Sequence, residues 1–104
     1  PRFGRRATRG RRIADLADLY YINVAPHHIG SPILSVAVSR QCAAILNFLA
    51  AEIHWPPSVE WKALVDAPVV EDGFIAVPDR PGLGVRLDED AVRRQARDIL
   101  GFFD

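Results

Sequence analysis

The chain has 104 residues, 49% apolar and 25% charged, and its thirteen basic and thirteen acidic side chains cancel. That composition fits one small globular domain, and nothing in it reads as disordered. No apolar run reaches the roughly 18 residues of a membrane helix, no apolar signal-peptide core opens the sequence, and Cys42 is the single cysteine, so a cytoplasmic protein is expected.

Residues 1–12 carry six arginines, at positions 2, 5, 6, 9, 11 and 12, and no acid. Such a basic arm suits phosphate contacts. Only Phe3 offers a stacking ring there, so nucleic acid is not the expected partner and a solvated, poorly specified arm is. Residues 9–20 read as a helix, because Ile13, Leu16, Ala17 and Tyr20 recur at helical spacing. Thr8 is a candidate N-cap, and Arg11 and Asp15 are spaced to pair. The arginines crowd the positive end of the helix dipole, which leaves the start of this helix weakly specified.

Residues 21–25 form an apolar run of strand length, stopped by Pro26. Gly30-Ser31-Pro32 is turn chemistry, and Pro32 suits the first turn of a helix. That helix is expected over 33–49. It is apolar on two sides, with Leu34, Val38, Ile45 and Leu49 on one and Ile33, Ala37, Ala44 and Phe48 on the other. A helix of that kind belongs between layers. Residues 50–53 read as a second strand, so 21–53 has the order of a right-handed βαβ unit. Trp55-Pro56-Pro57 breaks it. Residues 58–66 allow a helical turn or two. Residues 67–79 read as two strands joined in a hairpin at Glu71-Asp72-Gly73, and 80–87 as an extended loop punctuated by glycines. Asp88 is placed to cap a last helix over 89–100, with Val92 and Ala96 inward. There is no internal repeat. Two parallel strands, one buried helix and a hairpin do not close a layered core, so the chain reads as part of something larger.

The chemical side chains gather at strand ends. His27 and His28 follow the first expected strand, Glu52 lies near the end of the second, and His54 lies beyond it. Parallel α/β folds bind ligands at the carboxyl ends of their strands, which brings His27 and Glu52 to one rim. An imidazole exchanges a proton near neutrality. A carboxyl group kept protonated in a dry site donates to a developing oxyanion. The competing reading makes the histidines turn residues that cap the loop. Zinc binding by His27, His28, Glu52 or His54 is a weaker option, since no i,i+4 His pair and no CxxC is present. Cys42 lies mid-helix among small and apolar residues and reads as core. The two glycines of "PDRPGLGVRLDED" follow no strand–helix phosphate-loop pattern and read as turns.

Three stretches, "IADLADLYYINVAPHHIGSPI", "NFLAAEIHW" and "DGFIAVPDRPGLGVRLDEDAV", resemble the C-terminal part of the mandelate racemase/muconate lactonizing branch of the enolase superfamily. Among its members they look most like the acid-sugar dehydratases of the galactonate type. The resemblance covers roughly 10–100. It implies the last two strands and helices of a modified β/α (TIM-type) barrel, followed by a hairpin and a C-terminal helix that return to a capping domain. On that view 1–12 is the arm, 13–66 the βαβ part of the barrel, and 67–104 the returning segment. The implied chemistry is abstraction of a proton α to a carboxylate, with Mg²⁺ stabilising the enediolate. His27 falls on the catalytic histidine and Glu52 on the acidic residue that ends the eighth strand. No role carries over to His28.

The departures from the pattern matter as much. The aspartate that partners the catalytic histidine falls just before Pro1, or on Arg2. A Gly-Gly-x-Thr-Glu motif is replaced by "GRRATRG". The acidic Mg²⁺ ligands and any catalytic lysine are implied upstream of this chain. The expectation is therefore a segment inactive alone, taking a sugar acid or another carboxylate once joined to the missing barrel. The alternative is a non-catalytic interaction module that docks or self-associates through exposed apolar helix surface.

Overall fold

The computed structural model describes residues 2–53 and 58–96. His54, the Trp55-Pro56-Pro57 break and the 97–100 end of the expected last helix lie outside them.

Helix α1 spans Arg2–Asp18. It runs through the expected arm, and Thr8 sits inside it instead of capping it. The expected pair of Arg11 and Asp15 is present at 3.9 Å, both exposed. The packed face differs from the apolar stripe: Ala14 is buried, whereas Ile13, Leu16 and Tyr20 are exposed. The reason is the neighbour. Helix α2, Pro32–Cys42, approaches α1 on its small-residue side, where a Cβ on Gly10 would collide with the Gln41 side chain. Asn47 Nδ2 donates to the Ala14 carbonyl at 3.0 Å. Small residues let the backbones approach, and the apolar stripe is left facing outward.

After a turn at Tyr21, held at φ 56, the chain extends into an interrupted parallel ladder. Val24 bridges Phe48, and strand β1, His27–His28, pairs in parallel with strand β2, Glu52–Ile53. Pro26 lies between the two contacts and has no N–H to give. Its carbonyl still accepts from Glu52 N–H at 2.9 Å. The strand expected over 21–25 is thus displaced. Pro26 interrupts the ladder without ending it, and the histidines are strand residues instead of following a strand.

Helix α2 ends at Cys42, short of the expected 49. Its last carbonyls are taken by tight turns at Ala43 and Ala44. Asn47 Nδ2 then bonds the carbonyls of Ala14 and Ile22, which draws this stretch out of the helical path. The apolar run 43–49 leaves helical phase. Ile45 is buried, Leu46 is 95% exposed, and Phe48 joins the ladder.

Helix α3, Val59–Lys62, is the expected short helix. Its N-cap Ser58 accepts from Trp61 N–H at 3.1 Å. The core cluster is Val36 of α2 with Val65 and Val69, packed by Ile33, Trp61, Val70, Ile75, Leu83 and Val85. The expected hairpin reduces to its turn. Asp72 (φ 49) and Gly73 (φ 80) are both left-handed, as a two-residue hairpin loop requires, and Glu71 and Phe74 exchange both backbone bonds. No further strand grows from it. Residues 64–66 pair instead with 86–88, through the Val65–Leu87 bridge, the reciprocal contacts of Asp66 with Arg86, and Asp88 N–H to the Leu64 carbonyl.

Helix α4, Glu89–Gln95, is capped by Asp88, whose Oδ1 accepts from Ala91 N–H at 2.8 Å. Ala91 is its buried residue. Val92 and Ala96, expected inward, are half-buried. The described residues form a mixed α/β arrangement with two parallel strands. Its core lies between α2, α3 and the 65–85 segment, and among the described residues no helix is long and apolar enough to cross a membrane.

Candidate functional site

Successive strand residues face opposite ways. On β1 this separates the two histidines: His27 is exposed and His28 is buried. Parallel register sets His27 opposite Glu52. His27 Nδ1 lies 3.5 Å from Glu52 Oε2, with side chains 54% and 70% exposed. The distance is within ion-pair reach and long for a good hydrogen bond. An exposed pair of this kind stabilises the fold by at most about 1 kcal/mol. The dry setting in which a carboxyl donates a proton is absent within this segment. What the two groups form is a rim pair open to solvent on one side of the ladder.

His28 points the other way. It is 7% exposed, and its Nδ1 accepts from Gly30 N–H at 3.2 Å. Its Nε2 is buried and has no partner among the described residues. Burial first, and the nearby His27 charge second, push its pKa below the usual 6.5. The Gly30 carbonyl accepts from Trp61 Nε1 at 2.8 Å.

The expected zinc alternative finds no cluster. Among the described residues no three His, Cys, Asp or Glu side chains converge, and His54 lies outside them. Cys42 is buried, and burial pushes its thiol pKa up, as suits a core side chain. A mostly apolar cleft of about 810 Å³ is bounded by Phe48, Leu49, Ile53, Val70, Phe74 and Ile75. It does not include His27 or Glu52. Ser39 is the polar side chain among its lining residues, and its hydroxyl already donates to the Val36 carbonyl.

One organising residue had no motif to announce it. Arg40, in the last turn of α2, donates to the carbonyls of Pro78, Arg80 and Leu83 and so fixes the 78–84 loop. The available signal was a loop rich in proline and glycine, whose carbonyls lack ladder partners. Which cation answers them was not readable.

A sequence model of the enolase C-terminal domain-like family matches residues 7–91. The chain is 47% identical over 95 residues to a D-xylonate dehydratase of Haloferax volcanii, covering 90% of this chain and 23% of that protein. It is 35% identical over 86 residues to a D-galactonate dehydratase family member of Enterococcus gallinarum, covering 78% of this chain and 21% of that protein. The crystal structure of a mandelate racemase/muconate lactonizing enzyme-like protein from Rubrobacter xylanophilus superposes with a TM-score of 0.87 at 38% identity. The match covers 94% of this chain and 26% of that one. The chain thus spans about a quarter of the length of these relatives.

Proposed function

The chain belongs to the enolase C-terminal domain-like family, and from that membership we propose that it is the C-terminal part of a Mg²⁺-dependent acid-sugar dehydratase- or racemase-like protein. The reaction is removal of a proton α to a carboxylate, and the segment is inactive alone. Residues 13–66 supply its barrel part and 67–104 its return to the cap. The observation that carries the reading is the register of His27 against Glu52 across the parallel pair, at 3.5 Å.

His27 is the proton-transfer residue. A carboxylate at Nδ1 favours the tautomer with its proton there and leaves Nε2 to accept the substrate proton. Glu52 is that carboxylate within this segment, and it faces the same substrate. In the whole protein Mg²⁺ would supply electrostatic stabilisation of the negative charge that develops on the substrate. The described residues do not fit a Mg²⁺ site, since no three acidic or imidazole side chains converge. Its ligands belong to the part of the family's length that this chain does not span.

The test is turnover on a panel of sugar acids with Mg²⁺. The chain alone is expected to give none. Turnover by it that disappears in His27→Ala refutes the claim of inactivity alone. Adding the remaining three quarters of the dehydratase relative as a separate polypeptide is expected to restore dehydration. If the restored activity survives His27→Ala, the assignment of His27 is wrong.

A further inference from the structure

We propose that His28 is a positioning residue: its neutral imidazole, protonated at Nε2, latches the turn between β1 and α2 and so sets the strand end that carries His27. The observations converge on Gly30. Its N–H is taken by His28 Nδ1 at 3.2 Å and its C=O by Trp61 Nε1 at 2.8 Å. A Cβ there would strike the Leu34 side chain. The next two residues start α2, with the Ser31 carbonyl accepting from Leu34 and Ser35 and Pro32 buried in the first turn. Gly30 is therefore gripped on three sides, and His28 supplies the one grip that depends on a proton.

An imidazole nitrogen that accepts a hydrogen bond cannot carry a proton. The Gly30 contact thus confines the proton of neutral His28 to Nε2. Protonating Nδ1 sets an N–H against the Gly30 N–H and places an unpaired charge in a buried position. The charge that acts on His28 among the described residues is that of His27 beside it. Glu52 is in register with His27, and the strand partner of His28 is Ile53, which does not titrate. Trp61 of α3, across Gly30, does not titrate either. Burial and the His27 charge both oppose protonation, so the latch is closed at neutral pH. The sign follows. The unfolded chain takes up this proton near pH 6.5 and the folded chain only at lower pH. The contribution is complete above about 6.5 and is lost as pH falls toward the folded value.

The consequence for catalysis rests on the reading of His27 given above, but the experiment reads the turn itself. Failure of the latch and failure of the catalytic assignment are then separable. In the ¹⁵N-labelled full chain, long-range ¹H–¹⁵N spectra are expected to show His28 as the Nε2–H tautomer. The Gly30 amide protection factor is expected to be high at pH 7.5 and to decline below about pH 6.5. In His28→Leu it should drop about tenfold, the ordinary worth of one hydrogen bond, and lose its pH dependence in this range. His28→Asn places an acceptor oxygen where Nδ1 sat, so it should recover the protection without the pH dependence. An Nδ1–H tautomer, an unprotected Gly30 in the unaltered chain at pH 7.5, or equal protection in His28→Leu overturns the proposal.

Discussion

Replacing Arg40 by methionine should detach the 78–84 loop from α2. Methionine keeps an apolar stem of similar reach and removes the guanidinium that donates to Pro78, Arg80 and Leu83 carbonyls. A hydrogen bond from a charged donor contributes about 1.5–3 kcal/mol net when sheltered. The contacts to Pro78 and Leu83 are half-buried and that to Arg80 is exposed. The low end of the range therefore applies to two bonds, and the third adds little because water replaces it. The expected loss is about 3 kcal/mol, or about a hundredfold in the folded-to-unfolded ratio. Arg40→Lys keeps the charge but not the planar fork, so one bond survives and the loss is about half. Urea titration followed by tryptophan fluorescence measures both, and amide exchange over 78–84 localises the effect. An Arg40→Met stability within about 0.5 kcal/mol of the unaltered chain would refute the reasoning. It would mean that the loop carbonyls are equally well served by water.

Asp88→Ala should shorten α4 and cost about 1 kcal/mol, because the cap to Ala91 N–H is lost. Asp88→Asn should keep most of it, and equal urea midpoints for the alanine and asparagine variants would count against the cap. The Asp66 carboxyl is held below its usual range, first by the Arg86 N–H and then by the Arg80 guanidinium 3.3 Å away. A lowered folded pKa makes its stabilising contribution present above the unfolded value of about 3.8 and lost as pH falls through the lower folded one. Urea midpoints taken from about pH 5 down to about pH 2 should therefore fall less steeply in Asp66→Asn. An acid limb of unchanged slope refutes that role.

Local chemistry was legible from the chain. The Asp88 cap, the Ser58-led helical turn, the Asp72-Gly73 reversal and Pro32 at the head of α2 each depend on residues within three or four positions of one another. Their interaction energies are the same wherever the segment sits. The parallel relation of the His27 and Glu52 strands was legible too, because a strand–helix–strand order on one sheet implies it. The opposite facing of the adjacent histidines follows from the pleat once β1 is seen to run through them.

Helix lengths and burial were not local questions. Periodicity in 33–49 supported a continuous helix, yet Asn47 gains two long-range carbonyl partners by leaving it, and α2 stops at Cys42. The stripe Ile13, Leu16, Tyr20 correctly marks an apolar face, but α1 packs through Gly10 and Ala14 because that is where α2 comes close. An apolar face says that something should cover it. It does not say that the cover lies within the same quarter of the family's length. For the same reason the sequence, through its family resemblance, marked His27 and gave His28 no role, but the contacts of each were not readable. Which imidazole meets Glu52, and which is buried and accepts from the Gly30 N–H through Nδ1, depends on strand register and on Trp61 arriving from α3. Hydrogen bonds and burial between residues distant in the chain exist only once the tertiary structure brings them together.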